Sequence, residues 1–92
     1  NKKKLALIRV KLDKLDNQLL SLVKKRTILV NDVLKLKEFK NEIVDKKRIN
    51  LILKRIKLKS KKIKIDPKIT NRIWKNMIWS YIDYERRNFK KK

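Results

Sequence analysis

A seam of aliphatic side chains at seven-residue spacing runs along the first third of the chain, and a single arginine interrupts it. The seam reads Leu5, Ile8, Leu12, Leu15, Leu19, Leu22, Arg26, Leu29, Val33, Leu36, in alternating steps of three and four. That spacing keeps one face of a long helix apolar, as in a coiled-coil stripe. A helix over residues 5–37 follows, ~50 Å long at ~1.5 Å of rise per residue. Burying the Arg26 guanidinium costs several kcal/mol unless an anion meets it, and no acidic residue shares the seam. Two sources of that anion stay open, a ligand and a carboxylate elsewhere in the fold.

The 92 residues make one domain, 1–92, near the size at which a lone core gives only marginal stability. Cysteine and histidine are both absent. This excludes disulfides, thiolate metal sites, the usual zinc sites, and serine-histidine or cysteine-histidine catalysis. No metal and no cofactor is expected. No apolar run approaches the ~20 residues of a membrane span, and no signal-peptide pattern opens the chain. A cytoplasmic protein without a membrane partner is the expectation.

The net charge of +21 is a footprint that suits nucleic acid or a small anionic substrate. Only seven of the 30 cations are arginine, however, the other 23 being lysine. Lysine, isoleucine and asparagine share AT-rich codons, so genomic base composition is an alternative source of the excess. The charge speaks to solubility and the steering of anions, not to a fold.

With no glycine and Pro67 as the single proline, the chain has almost no strong breakers. The fold class is all-α, with three helices per chain and a long first one. Residues 38–44 break the stripe and read as a loop. Asp45 is a plausible N-cap for a second helix whose inward residues are Ile49, Ile52, Leu53 and Ile56. Asp66-Pro67 is a stronger start signal, an acidic N-cap before a proline at the first helical position. The third helix carries Ile69, Ile73, Trp74, Met77, Ile78, Tyr81, Ile82 and Glu85, then fades into the basic tail Lys90-Lys91-Lys92. Two shorter helices cannot cover a ~50 Å partner, and each exposed aliphatic side chain forgoes ~1.5–3 kcal/mol of burial. An intertwined helical homodimer built on the first helix is therefore expected, with residues of both chains around each cavity.

Several polar groups fall on or beside inward faces. From Arg26 the steps to Val30, Val33 and Lys37 are four, three and four, placing both cations on one face ~16 Å apart in rise. Arg9 lies beside the seam near its other end, too far along a straight helix to help within its own chain. From an antiparallel partner it comes within reach of the cavity. Arg48 adjoins inward Ile49, and Glu85 lines up with Trp74, Ile78 and Tyr81 on an otherwise apolar face. Each has a plain structural explanation: Arg26 pairing with Glu85, or Lys37 snorkelling to solvent. Four cations and one carboxyl are harder to dismiss together.

These residues resemble a known family. The runs Leu7-Ile8-Arg9-Val10-Lys11-Leu12-Asp13-Lys14-Leu15-Asp16, Lys25-Arg26 and Val33-Leu34-Lys35-Leu36-Lys37 are similar to the first helix of the all-helical chorismate mutases. Ile43-Val44-Asp45-Lys46-Lys47-Arg48 resembles the start of that family's second helix, and Asp66-Pro67 with Trp74 to Glu85 its third. The resemblance covers nearly the whole chain, and its specificity lies in the ordered spacings. It implies an intertwined dimer that rearranges chorismate, a small dianion, to prephenate in aromatic amino acid biosynthesis. By position, Arg26 and Arg48 bind carboxylates, and Arg9 reaches in across the interface. Lys37 donates to the ether oxygen with Glu85 on its other side, and Asp45 belongs to the site's edge. Arginine forks suit carboxylates, and a unimolecular pericyclic step needs orientation and charge stabilisation rather than a nucleophile or metal.

Two positions depart from the mutase pattern. Ile49 stands where the family usually has a substrate-contacting glutamate, and Tyr81 where many members have a small residue. Both are similar to the related isochorismate-pyruvate lyases, which make salicylate and pyruvate from isochorismate, whereas Val44-Asp45 looks like the mutases. The lyase is therefore the alternative. An alternative of another class is a basic helical nucleic-acid-binding protein. It is disfavoured because Trp74 and Trp79 lie at core-like helical spacing, while stacking platforms need exposed rings.

Overall fold

The structure is a computed structural model that describes residues 1–90, so Lys91 and Lys92 of the basic tail lie outside the described residues. Helix α1 spans Lys2–Leu36, a 3-10 turn Lys40–Glu42, α2 Lys46–Lys62 and α3 Pro67–Asn88. There is no strand among the described residues, so the all-α, three-helix expectation holds. The chain falls into two compact units, Asn1–Asp32 and Val33–Lys92.

The first unit is helical from Lys2 onward. It begins three residues before the expected start because the Asn1 side-chain oxygen accepts from the N–H groups of Lys3 and Lys4, at 2.9 and 3.3 Å. That is an N-cap interaction, which the apolar periodicity does not register. Every residue through Lys25 is exposed. The aliphatic seam is bare within the chain, Leu12, Leu19 and Leu22 being 52%, 57% and 58% exposed. Arg26, Thr27, Val30 and Asn31 are half-buried. The one charge in the seam is thus less exposed than the leucines that precede it.

The second unit is built on the α2–α3 hairpin. Asp45 caps α2, its carboxylate accepting from the Arg48 N–H at 3.0 Å. Asp66 caps α3, accepting from the Lys68 N–H at 2.9 Å with Pro67 in the first turn. Both start signals fall where the sequence places them. Between them α2 ends in a Schellman turn: the Ile65 N–H donates to the Ser60 carbonyl at 2.8 Å and the Lys64 N–H to that of Lys61 at 3.2 Å. The motif requires a left-handed residue, and with no glycine available Lys64 takes it at φ 62°. Across the turn the buried hydroxyls of Ser60 and Thr70 lie 2.7 Å apart, which ties the end of α2 to the start of α3.

The core sits at the other end of this hairpin. Leu34, Ile43, Ile78 and Ile82 are buried, with Val44, Ile49, Ile52, Leu53 and Phe89 packed on them. On the last turns of α1 the seam does not face that core: Val33 is 49% and Leu36 81% exposed. Leu34, one place off the seam, is inward instead. A strict seven-residue repeat drifts ~20° per heptad on a straight helix. Over four heptads that approaches the angular step of one residue, and Leu34 replaces Val33. On α3, Ile69, Ile73 and Trp79 are exposed, so the core-like spacing read for Trp79 does not bury it within the chain.

Candidate active site

Lys37 and Glu85 meet. Lys37 is the first residue past α1, and its ammonium donates to the Glu85 carboxylate at 3.0 Å. Their side chains are only 18% and 8% exposed. Glu85 stands in the last turn of α3, one turn beyond Ile82 and two beyond Ile78, so the apolar stripe that enters the core also carries the carboxylate inward. Lys37 does not snorkel to solvent, and within the Val33–Lys92 unit the anion facing it is Glu85.

The first turn of α2 brings further candidates to the same end of the core. Ile49 is half-buried and packs on the cluster of Leu34, Ile43 and Ile82. Arg48, its neighbour, is exposed, with its backbone held by Asp45. Asp45 is also exposed, and one carboxylate oxygen is engaged in that cap. Tyr81 is half-buried four residues before Glu85, and its ring meets Tyr84 edge to face at 6.5 Å. A side chain absent from the sequence reading appears beside them. Glu42 Oε2 accepts from the N–H groups of Glu38 and Phe39, at 2.8 and 3.3 Å, in the segment that leaves Lys37. The signal for it was a helix that stops without glycine or proline.

An open concavity of about 520 Å³ lies on the same connection, lined by Asn41, Glu42, Val44, Asp45, Lys46 and Lys47. Lys37 and Glu85 do not line it, so it is a neighbour of the ion pair rather than its setting.

Arg9 and Arg26 belong to the Asn1–Asp32 unit. Arg9 is exposed and Arg26 half-buried on the same helix. Their 17-residue separation is ~26 Å of rise, so one chain does not bring the two together.

Chemically, the ion pair offers a partly dehydrated cationic donor and a carboxyl group facing one point. An oxygen atom placed between them would receive a charge-assisted hydrogen bond from Lys37. It would receive a second from Glu85 only if that carboxyl were protonated. No helix among the described residues is long and apolar enough to cross a membrane. Neither a curated protein nor a solved structure matches the chain. The model of one family, chorismate mutase type II, matches residues 8–86 and so takes in Arg9, Arg26, Lys37, Arg48 and Glu85. With most of all three helices inside that match, the chain belongs to the chorismate mutase type II family.

Proposed function

We propose that this chain is a chorismate mutase that rearranges chorismate to prephenate. The carrying observation is the 3.0 Å Lys37–Glu85 contact, within a chain of this family. The reaction is internal to one molecule: the ether C–O bond breaks as a C–C bond forms, and no proton or electron is exchanged with the protein. Rate is gained by holding the reactive conformer and by stabilising negative charge on the ether oxygen. Lys37 donates to that oxygen, with Glu85 on its other side. Arg26 and Arg48 bind the two carboxylates. Asp45 sets the edge, and Ile49 and Tyr81 border the ring.

Assembly completes the site. The bare seam of the Asn1–Asp32 unit supports an intertwined homodimer, since each leucine covered by a second chain recovers ~1.5–3 kcal/mol. Arg9 of the partner subunit then supplies a further cation to the dianionic substrate.

Pure protein incubated separately with chorismate and isochorismate tests the reading. Prephenate from chorismate is the expected product. Salicylate and pyruvate from isochorismate, with chorismate untouched, would make the chain a lyase. Loss of both activities alongside salt-dependent binding of DNA or RNA would turn it into a nucleic-acid-binding protein.

A further inference from the structure

The segment after Lys37 is held by a carboxylate that the proposed chemistry does not use. Lys35-Leu36-Lys37-Glu38-Phe39-Lys40 contains neither glycine nor proline, and nothing in its propensities stops a helix. In a continuing helix the N–H groups of Glu38 and Phe39 would donate to the carbonyls of Leu34 and Lys35. They donate to Glu42 Oε2 instead, at 2.8 and 3.3 Å. The Leu34 carbonyl takes the Lys37 N–H at 3.2 Å, tightening the last turn. One Glu42 oxygen thus takes both of the donors that a further turn of helix would need, and α1 stops at Leu36.

The same residue is anchored from behind. Its own N–H donates to the Phe39 carbonyl at 3.1 Å, and the next N–H, of Ile43, donates to that of Lys40 at 3.2 Å. The Ile43 side chain lies in the core with Leu34 and Ile82. The backbone leaving Lys37 is thereby clamped to the packed interior within six residues.

We propose that Glu42 is a positioning residue: by ending α1 at Leu36 it fixes the backbone of Lys37 so that the ammonium faces Glu85. The inference rests on the mutase reading for its catalytic consequence, and on the hydrogen bonds alone for its structural one. Without the clamp, α1 can wind onward through Glu38 and Phe39, which carries Lys37 off its present bearing. Misplacement of a catalytic donor by about 1 Å is enough to cost on the order of 10²-fold in rate.

Glu42→Ala and Glu42→Gln in the 92-residue chain separate this role from a merely stabilising one. Glutamine keeps an acceptor oxygen; alanine does not. Glu42→Ala should lower kcat about tenfold or more with KM changed by less than about twofold, while Glu42→Gln stays within about threefold of the parent. Amide exchange at Glu38 and Phe39 should be slow in the parent and the glutamine variant and fast in the alanine variant. The Lys37 side-chain ¹⁵N resonance should shift in Glu42→Ala alone. A parent-like kcat in Glu42→Ala, equal losses in both variants, or unprotected amides in the parent would overturn the proposal. If the parent leaves chorismate untouched, the mutase reading fails by itself, and amide exchange with the Lys37 resonance decides the clamp. Should Glu42→Ala not fold, parent amide protection and the glutamine variant still decide it.

Discussion

The Lys37 ammonium lies 3.0 Å from a Glu85 carboxylate oxygen, joining the residue just past α1 to the last turn of α3 where both are largely shielded from water. Desolvating two charges offsets much of their attraction, so such a pair adds little net stability, while removing one partner strands the other at ~3–5 kcal/mol. On the proposed reading the pair is kept for chemistry rather than for stability, and substitution of either partner tests that.

Glu85→Gln distinguishes the two roles. An ionised Glu85 repels charge developing on the ether oxygen, whereas a protonated one donates to it. Glutamine donates without an added proton, so if Glu85 acts on the ether oxygen the variant should retain or improve turnover near neutrality. A variant that loses stability and turnover together would leave Glu85 a structural partner of Lys37.

Arg26→Ala should reduce turnover by at least ~30-fold, the ~2 kcal/mol lower end for truncating one partner of a buried charge pair. The variant should stay folded by circular dichroism and match the parent in sedimentation. Near-parental kinetics would make Arg26 structural.

Arg9→Ala and Arg48→Ala test assembly. Sedimentation of the parent should give about twice the 11.3 kDa chain mass. Each variant alone should be inactive, and mixed heterodimers should regain activity, because one of their two sites carries both arginines. No recovery on mixing would place Arg9 in its own chain's site or outside the chemistry.

The turn between α2 and α3 offers a check on the fold. Lys64 holds φ 62°, where a side chain costs on the order of 1 kcal/mol and glycine costs none. Lys64→Gly should therefore stabilise the protein by up to ~1 kcal/mol in urea unfolding with activity unchanged, part of the gain being lost to glycine's freer unfolded chain. Destabilisation would mean that the turn is not formed.

Helix starts were legible because capping is local chemistry: Asp45 and Asp66-Pro67 announce α2 and α3 within a few residues. Glu85 was legible because a carboxylate at helical spacing from Ile78 must share its face. Leu34 was not, since a seven-residue repeat read as a fixed face ignores the drift of a 3.6-residue helix. Glu42 was hidden for a different reason. Its carboxylate reaches back across a chain reversal, and no periodicity records a side chain that competes for backbone donors upstream. The membership of Arg26 and Lys37 in one site was read from spacing and resemblance, and it is the kinetics of both that test it.

The most direct measurement is the turnover of chorismate by the parent and by Lys37→Ala, with prephenate identified as product and folding of both checked. Loss of one donor to the developing oxyanion is worth ~10²–10³ in kcat. The expected result is prephenate from the parent and a loss of about that size in the variant. Prephenate formed equally well without the Lys37 ammonium, or not formed by the parent at all, would contradict the assignment of this site and its chemistry.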